Sequence, residues 1–342
     1  YSFQRTMAWL FSLTAQQQRY CKWVSFIGFN ALVLVSVLRI LPLFRITALI
    51  LALLWFAFMV SVVVKALRML NQHFSIHDRL NGLFKSIWLV AFFALVGLSI
   101  YNAYTPKVVH YQITLDKPLA QPIRLGVASD FHLGVLIGAK QLDRLADIFQ
   151  QQKVDLILLP GDIMDDNVDA YLAEDMHAHL AKLKAPLGVY ATLGNHDFFG
   201  HEQAIYHEIQ RAGIQVLWDQ AVEVNGQFSI IGRNDDLVRD RPTAEQLLQS
   251  VNTQRPVLLM DHRPTDMRLH SQLPIDVQVS GHTHAGQIFP ANIFTKLMYD
   301  LDYGYRQMGL GHYFVTSGYG LWGIPMRLGS QAEVMIIDVQ GK

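Results

Sequence analysis

Five short polar motifs in the chain carry side chains of the types that bind metal ions. Each motif directly follows an apolar run, and the five are Asp130-Phe131-His132, Gly161-Asp162, Gly194-Asn195-His196-Asp197, Asp261-His262 and Gly281-His282-Thr283-His284. Asp, Asn and His side chains coordinate divalent cations such as Mn²⁺, Fe²⁺ and Zn²⁺. The motifs contain no cysteine, which argues against a structural zinc site. One HxH pair alone indicates no more than a polar loop, but five such motifs predict a shared site.

The motifs offer more ligands than one tetrahedral ion requires. They suit two ions about 3.5–4 Å apart that share a bridging carboxylate. In extended backbone, alternate side chains point to the same side of a strand. We therefore expect His282 and His284 to face the site together, and likewise Asp130 and His132.

The segments before these motifs are typical of buried β-strands. Short, continuous apolar runs indicate strands covered on both faces, and they occupy residues 124–129, 154–160, 187–193, 228–232, 256–260, 276–280, 313–317 and 333–338. Apolar residues at helical spacing predict amphipathic helices at Gln141–Gln152, His201–Ala212 and Thr243–Val251. This alternation predicts an α/β domain with mainly parallel central strands. The carboxyl ends of such strands meet at one crevice, which would bring the five motifs together.

Composition divides the 342-residue chain into two different parts. Residues 1–105 contain nine Lys or Arg and one acid, Asp78, and carry a net charge of +8. Residues 106–342 contain 19 basic and 27 acidic residues and carry a net charge of −8. We therefore expect a membrane region at 1–105 and a folded domain with the polar motifs at 106–342. The single cysteine, Cys21, excludes an intramolecular disulfide.

The first part contains three apolar runs that suit transmembrane helices. Ile46–Val64 has 19 uncharged residues and Ser86–Pro106 has 21, close to the roughly 20 that a helix needs to cross the hydrocarbon core. Trp23–Leu38 has only 16 residues, and a buried core helix is the alternative for it.

Basic residues in the short loops predict the orientation of these spans. Arg39 and Arg45 lie on one side, and seven basic residues lie on the other: Arg5, Arg19, Lys22, Lys65, Arg68, Arg79 and Lys85. Because Lys and Arg concentrate in cytoplasmic loops, the N-terminus is predicted in the cytoplasm and the folded domain on the extracytoplasmic side.

In their order along the chain, the five motifs resemble those of the calcineurin-like metallophosphoesterase superfamily, over essentially all of residues 124–338. The stretch "GHTHAGQIFP", with "GLGHYFVTSGYGLWGIPMRLGSQAEV" after it, is similar to the membrane-associated YkuE-type branch, which is related to UDP-2,3-diacylglucosamine hydrolases. The resemblance implies an α/β fold, a two-sheet αββα sandwich, here preceded by an α-helical transmembrane region. It also implies a dimetal site at the strand ends.

The resemblance further implies roles for single residues. It assigns one ion to Asp130, His132, Asp162 and His284 and the other to Asp162, Asn195, His262 and His282. The cofactors would be two divalent ions, Mn²⁺ first, with Fe²⁺, Zn²⁺ and Mg²⁺ as alternatives. His196 would contact the substrate phosphate or protonate the leaving oxygen, with Asp197 orienting its imidazole. Ala285 stands where relatives usually have glycine.

Other residues carry weaker expectations. As a strand residue, Asp261 should point away from His262 into polar surroundings. Asp165 and Asp166 either support the site or lie in a solvated loop. The apolar stretch around Tyr319 and Trp322 is assigned to core packing, with lipid contact as the alternative. His73 and His77 are assigned to the basic membrane loop, with no role in the site.

These inferences predict a membrane-tethered dimetal hydrolase of phosphoester or pyrophosphate bonds. Hydroxide formed between the two ions would attack phosphorus in line, and His196 would protonate the leaving oxygen. Membrane lipids are the predicted partners, and the substrate is predicted to be phosphorylated and lipid-linked. The predicted location is the bacterial inner membrane, in a multi-pass protein.

Two other classes of function are alternatives. One is a nuclease or cyclic-nucleotide phosphodiesterase of the same fold, against which the net charge of −8 argues because nucleic acids are bound largely through Lys and Arg. No nucleic-acid partner is therefore expected. The other is a non-catalytic membrane scaffold, against which the complete ligand set argues.

Overall fold

The chain forms two compact units, Tyr1–Tyr101 and Asn102–Lys342. The computed structural model describes residues 2–38, 40–72 and 80–342. The predictions that concern Arg39, His73, His77 and Arg79 therefore lie outside the described residues.

The described part of the first unit is helical. Its helices are α1 (Ser2–Leu10), α2 (Ala15–Val37), α3 (Phe44–Gln72) and α4 (Asn81–Tyr104). The last three are long and apolar enough to cross a membrane, and each contains most or all of one predicted span. Ala57, Val60 and Val64 of α3 pack against Phe84 and Trp88 of α4. Many other large apolar side chains of these helices are exposed, as expected for surfaces that face lipid.

The second unit, which is described throughout, contains two six-stranded sheets. Its strands are β1 (Lys107–Leu115), β2 (Ile123–Val127), β3 (Leu156–Pro160), β4 (Val189–Thr192), β5 (Gln215–Val216), β6 (Gln220–Val224), β7 (Phe228–Arg233), β8 (Val257–Asp261), β9 (Val277–Ser280), β10 (Gly304–Met308), β11 (Gly311–Val315) and β12 (Glu333–Gly341). One sheet has the order β1-β12-β2-β3-β4-β5 and the other β10-β11-β9-β8-β7-β6.

The central strands carry the parallel pairings that the sequence predicts. In the first sheet β2, β3, β4 and β5 run parallel, while β12 pairs with β2 in the antiparallel direction. In the second sheet β7, β8, β9 and β11 run parallel, flanked by the antiparallel β6 and β10. Parallel neighbours end at the same edge of a sheet, so each sheet gathers the loops that follow its strands.

The two sheets pack face to face, and helices cover their outer faces. Leu125 and Leu158 of the first sheet share a buried cluster with Ile230, Met260 and Val279 of the second. The helices of this unit are α5 (Ala139–Gln152), α6 (Asp169–Ala173), α7 (His177–Leu180), α8 (Glu202–Arg211), α9 (Ala244–Leu248), α10 (Met267–His270) and α11 (Ala291–Met298). Helices α5 and α8 pack on the first sheet and α9 on the second. This αββα layering confirms the predicted fold class.

Candidate metal centre

The five polar motifs lie at the carboxyl ends of five strands, three from one sheet and two from the other. Asp130 follows β2, Asp162 follows β3, Asn195 follows β4, His262 follows β8, and His282 and His284 follow β9. Strand β3 contacts both β8 and β9, and this contact brings the loops of the two sheets to one place. The site is therefore built across the seam of the sandwich.

The backbone of these motifs is not extended, contrary to the sequence-based expectation. Five residues have positive φ between 48° and 71°: Asp130, His132, Asp162, His282 and His284. Hydrogen bonds hold this conformation, because Asp130 N donates to Gly161 O at 3.1 Å and His132 N donates to Asp162 O at 3.1 Å. Each left-handed non-glycine residue costs on the order of 1–3 kcal/mol, and such strain clusters at functional sites.

Two motif glycines are required because the chain passes too close for a side chain. A Cβ at Gly194 would collide with Oδ1 and the backbone nitrogen of Asp162, and one at Gly281 would collide with Ser129 and the Asp130 carboxylate. Glycine at these points lets the carboxylates approach the neighbouring loops. The Gly residues of the motifs thus serve the placement of Asp162 and Asp130.

Asp130, His132 and His284 form the first group of ligand atoms. Their ligand atoms all lie within 4.8 Å of one another. Nε2 of His132 is 3.2 Å from Nε2 of His284, and the latter is 3.5 Å from Oδ1 of Asp130. The three side chains are buried. The predicted ligands of one ion are therefore adjacent.

Asp162 lies between the two predicted groups. Its Oδ2 is 3.7 Å from Nε2 of His132 and 3.2 Å from Nε2 of His262, while its Oδ1 accepts a hydrogen bond from His196 N at 2.8 Å. One carboxylate oxygen thus faces a histidine of each group. This is the position that a bridging ligand of two ions requires.

His262, Asn195 and His282 form the second group. Nδ1 of His262 lies 2.8 Å from the carbonyl oxygen of Pro160 and so carries the hydrogen that this contact needs. Its Nε2 is buried without a hydrogen-bond partner and faces Asp162. Oδ1 of Asn195 is 2.8 Å from Nδ1 of His282. An aligned, unpartnered imidazole nitrogen beside oxygen donors fits a divalent cation.

The pKa values of the histidines in the site shift in different directions. Burial lowers the pKa of His132 and of His282 to about 3, which leaves their nitrogen lone pairs free. Burial would also lower the pKa of His262, but Asp162 and Asp130 raise it to about 10. The two carboxylates thus favour a proton on His262. A divalent ion held here would balance the same negative charge in place of that proton.

His196 lies beside the ligand groups, and Asp166 holds its imidazole. Nδ1 of His196 is 2.5 Å from Oδ1 of Asp166. The prediction that Asp197 orients this imidazole is wrong. Asp197 is fully buried and accepts hydrogen bonds from the backbone nitrogens of Ile163, Met164 and Gly194. The carboxylate of Asp197 therefore fixes the loops that carry Asp162 and Asn195, because three backbone donors already occupy it.

The pKa of His196 is raised above its ordinary value. Burial alone would lower it, but the hydrogen bond with Asp166 and the charge of Asp162 outweigh the burial. The ring also packs edge-on against His132, with centroids 4.7 Å apart, and against the exposed Phe199 at 5.0 Å. The raised pKa favours the protonated form of this ring, which lies 6.1 Å from the ring of Trp322.

Arg327 is a supporting residue that the sequence interpretation missed. It is fully buried, and its guanidinium donates to the carbonyl oxygens of Ser317 and Gly320, each at 2.7 Å, and to Nδ1 of His284 at 3.0 Å. Burial lowers its pKa to about 10. The residue ties the loop after β11 to a predicted metal ligand. Only its place in the quoted stretch "IPMRLG" gave a signal.

Asp261 confirms the expectation that it points into polar surroundings. Its buried carboxylate accepts hydrogen bonds from Nη1 of Arg233 at 3.0 Å and from Nη1 of Arg241 at 3.1 Å. Arg233 also contacts Asp266 at 2.9 Å. Asp261, Asp266 and His270 lie close enough together to resemble a metal site. The two guanidinium groups already neutralise these carboxylates, so this cluster braces the strand that carries His262.

Comparison with known proteins agrees with the fold and the site. The sequence profile of the calcineurin-like phosphoesterase family matches residues 123–286, which include all seven predicted ligands. An uncharacterized metallophosphoesterase of Aquifex aeolicus is 32% identical over 263 residues, or 73% of this chain and 99% of that protein. A transmembrane protein with metallophosphoesterase domain from Danio rerio is 30% identical over 72% of this chain and 60% of its own length. YkuE of Bacillus subtilis, also an uncharacterized metallophosphoesterase, is 30% identical over 62% of this chain and 77% of its own length.

The chain belongs to the calcineurin-like metallophosphoesterase family. It is a metal-dependent phosphoesterase, and this family uses a dinuclear divalent metal centre. Its three candidate membrane helices and its transmembrane-type relatives associate it with membranes.

Proposed function

We propose that this protein is a membrane-tethered phosphoesterase that hydrolyses a phosphoester or pyrophosphate bond of a lipid or lipid-linked substrate. The observation that carries the proposal is the exposed apolar surface beside the metal centre. It is formed by α11, which begins seven residues after His284, and by Trp322. The location proposed is the bacterial inner membrane, with several spans.

Helix α11 presents apolar side chains to solvent over most of its length. Ile293, Phe294, Leu297 and Met298 are 48%, 61%, 79% and 73% exposed, and no residue of the helix is buried. Soluble proteins rarely expose such a group of large apolar residues, and where they do, it marks a partner or a membrane. Because the chain has three candidate membrane spans, we propose that this apolar surface contacts lipid.

Side-chain hydrogen bonds fix this apolar helix to the site. Thr295 of α11 donates to Oδ2 of Asp302 at 2.8 Å, and Thr283, between the two predicted ligands of the HxH motif, donates to the backbone oxygen of Asp302 at 2.6 Å. The side-chain amide of Gln287 makes two hydrogen bonds with the backbone of Trp322. Its Oε1 accepts from Trp322 N at 3.0 Å, and its Nε2 donates to Trp322 O at 2.8 Å. An acyl chain that lies along α11 would place its phosphate near His282 and His196.

The chain's own residues divide the catalytic work. Two divalent ions, when bound, would supply Lewis acidity, which activates water and neutralises phosphate oxygens. Asp130, His132, Asp162, Asn195, His262, His282 and His284 would hold these ions, with Mn²⁺ proposed as the native metal because the donors are all nitrogen and oxygen. His196 would donate a proton from Nε2 to the leaving oxygen, while Asp166 holds Nδ1.

A matched pair of substrates tests the proposed substrate class. The purified full-length protein is supplied separately with Mn²⁺, Mg²⁺, Fe²⁺ and Zn²⁺ and assayed on phosphorylated lipids and nucleotide-linked acyl sugars with long or short acyl chains. We expect kcat/KM to be at least tenfold higher for the long chains. A double variant Phe294→Ser, Leu297→Ser should lose this preference and keep its activity on nitrophenyl phosphate.

The control is Leu310→Ser, which removes a 75% exposed leucine in the turn between β10 and β11, at the opposite end of the sheet from the site. It should leave the chain-length preference unchanged. Equal rates for long and short chains would refute a lipid substrate. Faster turnover of oligonucleotides or cyclic nucleotides than of any lipid would favour the nuclease or cyclic-nucleotide alternative.

A further inference from the structure

The first unit contains a cavity among α1, α3 and α4 that both apolar and basic side chains line. Its volume is about 420 Å³, and its lining includes three basic residues: Arg5, Lys65 and Arg68. Small-molecule sites in proteins occupy about 300–1,000 Å³, so the cavity has room for a phospholipid headgroup. None of the described lining residues is acidic.

The floor of the cavity is a hydrogen-bonded group of three side chains from three helices. Oγ of Ser61 donates to the Ala57 carbonyl at 2.6 Å, accepts from Nε1 of Trp88 at 3.0 Å, and lies 2.8 Å from Oγ1 of Thr6. Because the one hydrogen of Ser61 goes to Ala57, the hydroxyl of Thr6 is the donor to Ser61. Thr6 and Trp88 are 8% and 3% exposed. Hydrogen bonds of this kind between Ser and Thr side chains hold membrane helices together, so the three helices around the cavity are fixed to one another.

The rim of the cavity fixes the Arg68 side chain. Its guanidinium carbon lies 4.6 Å from the ring centroid of Trp9, and Nε1 of Trp9 donates to Oδ1 of Asn81 at 2.9 Å. Nε of Arg68 is buried and has no hydrogen-bond partner among the described residues. Trp9 therefore joins the start of α4 to Arg68 and holds the guanidinium in the wall of the cavity.

The basic residues that line the cavity suit an anionic ligand. Lys65 and Arg68 are three residues apart on α3 and so share one face of the helix, where like charges are unfavourable. Lys65 directly follows the predicted span Ile46–Val64, so the basic group lies at the level of lipid headgroups. Arg binds phosphate oxygens through a planar fork and Lys as a point charge.

We infer that this cavity binds the phosphate headgroup of an anionic phospholipid. Lys65 and Arg68 hold the phosphate oxygens, and the apolar lining residues Val62 and Phe58 contact the acyl chains. Basic pockets between membrane helices bind anionic headgroups in this way. The site is separate from the metal centre and does not depend on the substrate of the enzyme.

Native mass spectrometry of the full-length protein in detergent tests the site. The probes are phosphatidylglycerol and phosphatidylcholine with identical acyl chains, and inorganic phosphate as a competitor. The double variant Lys65→Gln, Arg68→Gln is expected to bind phosphatidylglycerol about 30-fold more weakly, since each basic residue near an anionic lipid contributes roughly a fivefold factor. The matched control, Arg19→Gln with Lys22→Gln, removes the same charge from exposed positions of α2 and should bind as the wild type does.

Three results would overturn the inference: equal binding of the two lipids, equal weakening in the control, or displacement of the lipid by millimolar phosphate. If the double variant does not fold, photo-crosslinking from benzoylphenylalanine at position 62 replaces it. Crosslinks to phosphatidylglycerol in excess over phosphatidylcholine support the site, and equal crosslinks to both lipids refute it.

Discussion

The imidazole of His196 is held by Asp166, with Nδ1 and Oδ1 2.5 Å apart, and not by the adjacent Asp197. Asp166 lies in the loop after β3, four residues beyond the predicted bridging ligand Asp162. The same loop therefore sets the orientation of His196 and the position of Asp162, the proposed proton donor and the predicted bridging ligand.

Asp166→Asn should reduce kcat about 10–100-fold without loss of metal, because an outer hydrogen-bond partner of a functional imidazole contributes that much. Steady-state kinetics and metal analysis of the purified protein check this. Asp197→Asn is the comparison: it weakens three backbone contacts, so we expect reduced metal content and a lower melting temperature. The reverse pattern would return the orienting role to Asp197.

His196→Ala should keep both metals and lose roughly 10²–10⁴-fold in kcat on a substrate with a poor leaving group. The loss should be much smaller for nitrophenyl phosphate, whose leaving group needs little protonation. If both substrates are affected equally, His196 positions the phosphate. If metal is lost, His196 is a ligand, as its proximity to His132 and Asp165 would allow.

Asp162→Ala should abolish activity and lower the metal content more than any other single ligand substitution. Its Oδ2 faces both His132 and His262, so both ions would lose a ligand together. Metal analysis by plasma mass spectrometry, beside Asn195→Ala as a variant that affects one ion, gives the comparison. Two ions at full occupancy in Asp162→Ala would contradict the bridging role.

Ala285→Gly should stabilise the protein by about 1 kcal/mol, because alanine with φ of 47° pays the penalty of the left-handed region and glycine does not. The midpoint of thermal unfolding in detergent, followed by circular dichroism, would rise. Ala204→Gly, inside α8, is the control and should destabilise by about 1 kcal/mol. A decrease for Ala285→Gly would show that the methyl group packs usefully at this site.

The extracytoplasmic position of the second unit can be tested with single cysteines in a Cys21→Ser background. A cysteine at Val135, which is 72% exposed in the second unit, should react with a membrane-impermeant maleimide in intact cells. A cysteine at Lys85, predicted on the cytoplasmic side, should react only after permeabilisation. The opposite labelling would place catalysis in the cytoplasm and favour the hydrolysis of a lipid precursor there.

The strands missed in the sequence interpretation share one physical property. It recovered β2, β3, β4, β7, β8, β9, β11 and β12 and missed β1, β5, β6 and β10, which are the four sheet edges. Edge strands are half exposed and carry polar residues, as in "GYRQM" of β10, so they lack the continuous apolar run of a buried strand. The strands that the sequence predicts are therefore the interior ones, because a strand buried on both faces requires a continuous run of apolar residues.

The site itself was predictable by residue type and order, but not by conformation. The motifs name the candidate ligands, yet the left-handed backbone of Asp130 or His282 depends on hydrogen bonds from distant loops. Asp197 is next to His196 in the sequence, but its carboxylate accepts three backbone hydrogen bonds, and the imidazole contacts Asp166 instead. The sequence does not show these backbone contacts, because they depend on the fold. The supporting role of Arg327 depends on contacts with residues up to 43 positions away along the chain.

The left-handed conformation of the five predicted ligand positions also indicates what an inactive relative would look like. At such positions glycine is the residue that adopts the backbone conformation most easily. This chain has aspartate or histidine at all five positions, although each has a strained backbone: Asp130, His132, Asp162, His282 and His284. A relative with glycines at these places would have a less strained backbone and no side chains to bind metal, so it would be expected to be inactive.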